Sequence, residues 1–325
     1  MNGMTSKTPA SSPEGFRHAA FLYQGPDSFL AGTVPFITNG LSHGEAILVV
    51  LEATKIEMLR SELGRGAEAV QFADMEKVGL NPARIIPAWR HFVDRNSSQG
   101  IAMRGIGEPI WPSRTAAELA ESHHHEALLN LAFTATKNFW LLCPYNTEAL
   151  APDVIRRMSL DHPFLYEGDD VVESRSYDYE RAVTEHLLDP LPQASSMPSE
   201  LVFSEHSLGE VRGWVSSQAA GAGLDPARTY DLVLAVNEIA TNSVRHGGGQ
   251  GRIRLWQEDQ DIVCDILDAG HIRQPLAGRE LPGREQAHGR GLWLANQVCD
   301  LVQIRSSAGG TVVRLRQRIA APTAV

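Results

Sequence analysis

The sequence is short of the features that would assign it to several familiar classes. It has three cysteines, Cys143, Cys264 and Cys299. The number is odd and no pair has CxxC spacing, so neither a disulfide framework nor a local zinc motif is legible. Lysine occurs only at Lys7, Lys55, Lys77 and Lys137, and none of these follows a glycine. That excludes the G-x-x-x-x-G-K-[ST] phosphate loop. The longest apolar run is Ala46–Leu51, far short of the roughly 20 residues that cross a bilayer, so no membrane partner is expected. The opening MNGMTSKTPASSPEG has no apolar core and reads as a polar tail, residues 1–15, rather than a signal peptide. Basic excess is missing too: 29 Lys+Arg against 39 Asp+Glu leave a formal charge of −10. A direct nucleic-acid binder would carry the opposite balance. Reduced cysteines and the absence of a leader make a cytoplasmic protein the expectation.

What is present is an ordinary globular composition, 43% hydrophobic and 21% charged over 325 residues, enough for about two domains. The charge is uneven. Residues 1–200 hold 16 basic and 26 acidic side chains, whereas residues 201–325 hold 13 of each. Two modules with different partners are implied.

Between Phe16 and about residue 180, short apolar runs alternate with helical patterns. Strands are expected at His18–Tyr23, Ala46–Leu51, Ala69–Ala73, Ile101–Ile106 and Asn138–Cys143. Helices are expected at Asp27–Leu41, Thr54–Leu63, Pro82–Asn96, Thr115–Ala132 and Ala151–Ser159. Such alternation predicts a parallel sheet with helices on both faces. Gly105-Ile106-Gly107 is followed by Glu108-Pro109, and no helix opens there, so it reads as a turn rather than a dinucleotide fingerprint. His123-His124-His125-Glu126 invites a metal reading. Successive helical positions lie about 100° apart, so three adjacent histidines cannot meet at one ion. A solvated face with one packed histidine is expected, His125 being the one turned inward.

The segments RHAAFLY, NPARIIPAWRHFVD, RGIGEPIW, HEALLNLAF and LLCPYN resemble the MEDS family over about residues 16–165. The resemblance implies a sensory domain, taken as residues 16–180, with a RecA/KaiC-like sheet that lacks the ATP-binding loop and with an unspecified small-molecule signal. Ligands of such sheets sit beyond the carboxyl ends of the strands, which puts Tyr23, Glu108, Trp111 and Tyr145 at the rim of a pocket. Packing alone explains Trp111 and Tyr145 equally well.

Pro190, Pro192, Pro198 and QASSMPSE mark residues 181–200 as a linker. Beyond it, DLVLAVNEIATNSVRH carries an apolar stripe at Leu232, Val236, Ile239 and Val244. Glu238 and Asn242 are four apart and share a face, which Arg245 can join. A carboxylate and an amide stacked this way suit a hydrated divalent cation and general-base work beside it. DIVCDILDAG ends a strand in a carboxylate followed by a glycine turn, and Gly289-Arg290-Gly291 opens a helix where backbone N–H groups can meet phosphate.

The order NEIATNSVRHG, LDAG, GRGLWLANQVCDLV, GGTVVRLR resembles GHKL (Bergerat-fold) ATPases, and among them the RsbW-like anti-sigma factor kinases, over about residues 201–318. Residues 319–325 remain as a tail. The resemblance implies a mixed sheet with helices on one face, so the whole chain is expected to be α/β. It also implies ATP and Mg²⁺ as cofactors, Glu238 as general base and Asn242 as the Mg²⁺ ligand. Asp268 would read adenine, with Gly270 as its turn; Arg245, Gly289, Arg290, Gly291, Leu292 and Thr311 would complete the nucleotide site under a lid at Leu276–His288. The partners implied are a sigma factor and a STAS-type anti-sigma-factor antagonist, phosphorylated on Ser or Thr, and a homodimer is left open. The second glycine of the usual D-x-G-x-G box is replaced by Ile272 in DAGHI, which keeps a non-catalytic, ATP-shaped binding module as the alternative. A histidine kinase is a third reading; it needs a two-helix hairpin ahead of the ATP domain, and only one helix, about Leu208–Ala220, fits there. His206 reads as a strand-end residue.

Overall fold

The computed structural model describes residues 15–167, 170–282 and 289–319. Contacts divide the chain into two compact units. The first comprises the described residues up to Gly79 together with Ala88–Ala182; the second comprises Leu80–Pro87 and the described residues from Val183 onward.

Chain order begins β1 (Phe16–Tyr23), α1 (Gly25–Ser42), β2 (Ala46–Leu51), α2 (Ala53–Leu63), β3 (Val70–Asp74), α3 (Met75–Val78) and α4 (Ile85–Ser97). It continues β4 (Met103–Gly107), α5 (Ala116–Ala132), β5 (Phe139–Asn146), α6 (Pro152–Asp161), β6 (Phe164–Glu167), β7 (Asp170–Glu173) and α7 (Tyr179–Leu188). The strands form one sheet, β3-β2-β4-β5-β1-β6-β7, parallel throughout except for β7, which runs back along β6. β2, AILVVL, is apolar along its whole length and almost wholly buried, as a central parallel strand covered on both faces requires.

Alternation along β1 sorts its side chains between the faces. Ala19, Phe21 and Tyr23 join Phe29, Phe36 and Ile37 of α1 and Leu59 of α2 in one core. His18 points the other way and meets Glu126 of α5. Helices therefore cover both faces, as the alternating pattern predicts. α5 starts on a capping box between Thr115 and Glu118, which satisfies orphan N–H groups at its first turn.

Two expectations need correction here. The His123–Glu126 stretch is not a solvated face: His124, His125 and Glu126 are all buried. The cause is that α5 is covered twice, by the sheet and by α6, and His123 Nδ1 reaches Asp161 Oδ2 of α6 at 3.0 Å. The expected strands also stop at Cys143, whereas the sheet continues into the short pair β6 and β7, whose four-residue strands are too brief to show a period.

The second unit runs β8 (Ser199–Ser204), α8 (Leu208–Gly221), α9 (Pro226–His246), β9 (Gln250–Glu258), β10 (Asp261–Asp268), α10 (Arg290–Val298), β11 (Leu301–Ser307) and β12 (Gly310–Arg318). Its sheet order is β11-β12-β10-β9-β8. Every pairing is antiparallel, where a mixed sheet is expected; the hairpins β9–β10 and β11–β12 set this direction. Ile262, Cys264 and Ile266 of β10 and Val313 and Leu315 of β12 pack with α8, α9 and α10 in one core.

The reverse face of this sheet is charged. Asp265 and Arg314 are directly opposite in register and form a buried two-pronged pair at 2.6 and 2.8 Å, with Arg314 over the Trp256 ring at 4.9 Å. Arg314 Nη1 also donates to the Pro192 carbonyl at 2.9 Å, and Arg305 Nε to that of Asp189 at 2.8 Å. Residues 181–200, expected to be a plain linker, thus begin in α7 and then lie along the sheet. Among the described residues, no helix is long and apolar enough to cross a membrane.

Candidate functional site

α9 begins at Asp225, whose carboxylate accepts from Ala227 N and Arg228 N at 2.9 and 3.2 Å, with Pro226 in the first helical position. Leu232, Ala235, Val236, Ile239, Ala240 and Ser243 form its buried stripe. Glu238 and Asn242 flank that stripe and are half-buried, while Arg245 is exposed. The first turn of α10 comes against them. A Cβ on Gly291 would lie 3.0 Å from Asn242 Nδ2 and 3.1 Å from Glu238 Oε2, close enough to push both side chains aside, so glycine here keeps the cradle open. Gly289, capping α10 at φ +95°, uses the left-handed region that glycine enters without penalty. Arg290 beside it is exposed, and Leu292 packs against the core.

Asp268, at the end of β10, is fixed from two sides. Ser243 Oγ donates to its Oδ2 at 2.6 Å and Gly270 N to its Oδ1 at 2.7 Å. Thr311, paired with Asp268 in register, donates to the Gly270 carbonyl at 2.9 Å and lies 2.7 Å from Ser306 Oγ. Ser306 Oγ in turn accepts from Ile272 N at 2.8 Å. The turn carrying the altered glycine box is therefore held by a chain of hydrogen bonds. Ile272 needs no left-handed backbone, since Asn138 and Asp259 are the only non-glycine residues with positive φ among those described. Of the lid expected at Leu276–His288, residues 283–288 lie outside the described residues. Before them, the Gly278 carbonyl accepts from Asn296 Nδ2 of α10 at 3.0 Å.

These groups fit a magnesium nucleotide. The amide of Asn242 and the carboxylate of Glu238 offer the hard oxygen atoms that Mg²⁺ prefers. The N–H groups at the start of α10 suit phosphate oxygens. Each Asp268 oxygen keeps a lone pair beyond the bond it already accepts, enough for an exocyclic amine. Ser243 was not legible as a site residue; its signal is only that it follows Asn242 on the buried side of the helix.

In the first unit the four expected rim residues do not share one arrangement. Tyr23 Oη donates to Glu108 Oε1 at 2.8 Å, and Lys55 Nζ meets Glu108 Oε2 at 2.6 Å. Burial pulls the Lys55 ammonium down, but the Glu108 carboxylate outweighs it and the net shift is upward. Trp111 instead stacks under Arg114 at 3.6 Å. Tyr145 is fully buried, its ring edge-on to His162 at 5.5 Å, and burial pushes its hydroxyl well up. Lys55 is a member of the polar trio that sequence reasoning missed.

Comparison with known proteins gives a match for each unit. Residues 17–163 match the MEDS family, the methanogen/methylotroph, DcmR sensory domain. Residues 202–317 match the histidine kinase-like ATPase domain. A search of curated proteins returns no match. Among solved structures, the RsbU and RsbW domains of Rv1364c from Mycobacterium tuberculosis are 21% identical over 40% of this chain and 34% of that one, with a TM-score of 0.31. The histidine kinase AdeS of Acinetobacter baumannii is 12% identical over 38% of this chain and 68% of that one, with a TM-score of 0.23. The chain thus spans about a third of the length of the first of these. On the two family matches, the chain carries an N-terminal MEDS sensory domain and a C-terminal histidine kinase-like ATPase domain.

Proposed function

We propose that the protein is an ATP-dependent anti-sigma factor kinase, which phosphorylates a Ser or Thr of a STAS-type antagonist and otherwise holds a sigma factor, under control of its MEDS domain. The observation that carries this is the meeting of Glu238, Asn242 and Gly291, with 3.0 and 3.1 Å from a Gly291 Cβ position to the two side chains. ATP with Mg²⁺ supplies the phosphoryl group when bound. Asn242 holds the metal, Asp268 reads the adenine amine, and the amides at Gly289–Gly291 face the phosphates. Glu238 accepts the proton of the attacking hydroxyl. A histidine-kinase reading has less support. Between β8 and α9 the described chain has one helix of useful length, α8, and His206 sits in a single turn of 3-10 helix after β8, so there is no hairpin to present a phosphoacceptor.

The test is phosphotransfer from ATP to candidate antagonist proteins by the full-length chain. Glu238→Gln should lower the rate by about 10²–10⁴-fold, the usual worth of a general base, with ATP affinity changed by less than about threefold. No transfer by the native protein would overturn the kinase reading, and partner capture that persists in Glu238→Gln without any transfer by the native protein would establish the binding module instead. The small-molecule signal is assigned to the Tyr23–Glu108–Lys55 end of the first sheet.

A further inference from the structure

The first unit holds a second polar cluster, which the nucleotide chemistry does not use. His18 of β1, Glu126 of α5, Cys143 of β5 and His162 after α6 are all buried and offer one ligand atom each, every pair of those atoms within 4.8 Å. His18 Nε2 lies 2.9 Å from Glu126 Oε2 and 3.3 Å from Cys143 Sγ. His162 Nε2 lies 3.3 Å, and Cys143 Sγ 3.5 Å, from the same carboxylate oxygen. Ligands about 2.0–2.3 Å from a tetrahedral ion stand roughly 3.3–3.7 Å from one another; three of these four separations fall in that range, and the His18–Glu126 one is shorter.

The outer partners fix which ring nitrogens face inward. Asn130 Nδ2 donates to the Asp161 carbonyl at 2.8 Å, which turns its Oδ1 toward His18 Nδ1 at 3.2 Å. The Met158 carbonyl lies 2.9 Å from His162 Nδ1. Both acceptors require the proton on Nδ1, so both neutral rings present an Nε2 lone pair to the centre. Those lone pairs then face a carboxylate oxygen, which is also an acceptor. Glu126 Oε1 has no hydrogen-bond partner among the described residues, and an unpaired carboxylate oxygen in a dry interior is costly. A cation at the centre answers all of this at once. Imidazole rings held by a carbonyl or amide on their far side are the usual second shell of a bound metal.

We propose that His18, Glu126, Cys143 and His162 form a closed tetrahedral site for one divalent transition ion, zinc by its nitrogen, oxygen and sulfur ligand set. Four protein ligands leave no open position, so the ion is a staple joining β1, β5, α5 and the end of α6 rather than a catalyst. Burial means that it enters as the chain folds.

Full-length protein should contain about one equivalent of zinc after isolation without chelator, measured by elemental analysis. Refolding with Co²⁺ should give the visible bands of tetrahedral cobalt together with a near-ultraviolet thiolate charge-transfer band. Cys143→Ser should abolish the charge-transfer band, and Cys264→Ser and Cys299→Ser should keep it. If Cys143→Ser fails to fold, retention of the band in the other two variants still assigns the thiolate to Cys143. Less than about a tenth of an equivalent of any transition metal combined with no thiolate band on refolding, or a band that follows Cys264 or Cys299, would overturn the proposal.

Discussion

The two polar clusters differ in how they meet water. His18, Glu126, Cys143 and His162 are sealed within the first unit, whereas Glu238, Asn242 and Asp268 are only half-buried at one end of α9. A sealed cluster has no exchange path, so its charges act on folding. An open one can trade water for ligand, so its charges act on binding. Glutamate, the residue type common to both, thus carries different work at Glu126 and at Glu238 according to its exposure, which sequence alone does not give.

Substitutions can break this contrast. The largest effect is expected from Glu126→Ala: losing one member of a buried charged cluster should cost about 3–5 kcal/mol, read as a lower urea midpoint for the transition of the first unit. A loss below about 1 kcal/mol would mean that the cluster is not sealed. Asp268→Asn should leave stability nearly unchanged and weaken ATP binding by about 1–3 kcal/mol, measured by titration calorimetry with GTP as the comparison ligand. Ser243→Ala removes one of the two bonds that aim Asp268 and should cost about 1 kcal/mol of nucleotide affinity; an unchanged affinity would show that Gly270 N alone orients the carboxylate. The smallest effect is expected from Arg252→Ala. Its partner Glu200 is 3.2 Å away and both are well exposed, so thermal unfolding should register less than about 1 kcal/mol.

Elements were legible where an apolar run or a helical period is long enough to bound them. Ala46–Leu51 was bounded correctly by its apolar run, and α5 was found from Thr115 and its apolar positions. β6 and β7 were not, because four residues carry too little pattern, and neither was α7, a short helix that runs directly into the proline-rich segment after Leu188. In the candidate site of the second unit, the four-residue spacing puts Glu238 and Asn242 on one face of α9, and the order of the motifs proposes Asp268 and Gly291 beside them. Ser243 and Ser306 reach the site only through tertiary hydrogen bonds, for which no local signal exists. The run of three histidines shows the same limit from the other side. Neighbours in sequence diverge, and Glu126 finds its histidines at His18 and His162, brought in by the sheet and by α6.

The carbonyls of Asp189 and Pro192 on Arg305 and Arg314 bear on how the chain can be dissected. A fragment cut at Leu201, where the ATPase motifs begin, would strip these acceptors from the charged back of its sheet and leave the Arg314 side chain short of a partner. One that keeps the residues from Val183 onward retains them. The structural boundary of this unit therefore lies upstream of its motifs, and proteolytic trimming of the isolated domain is expected to stop before Asp189.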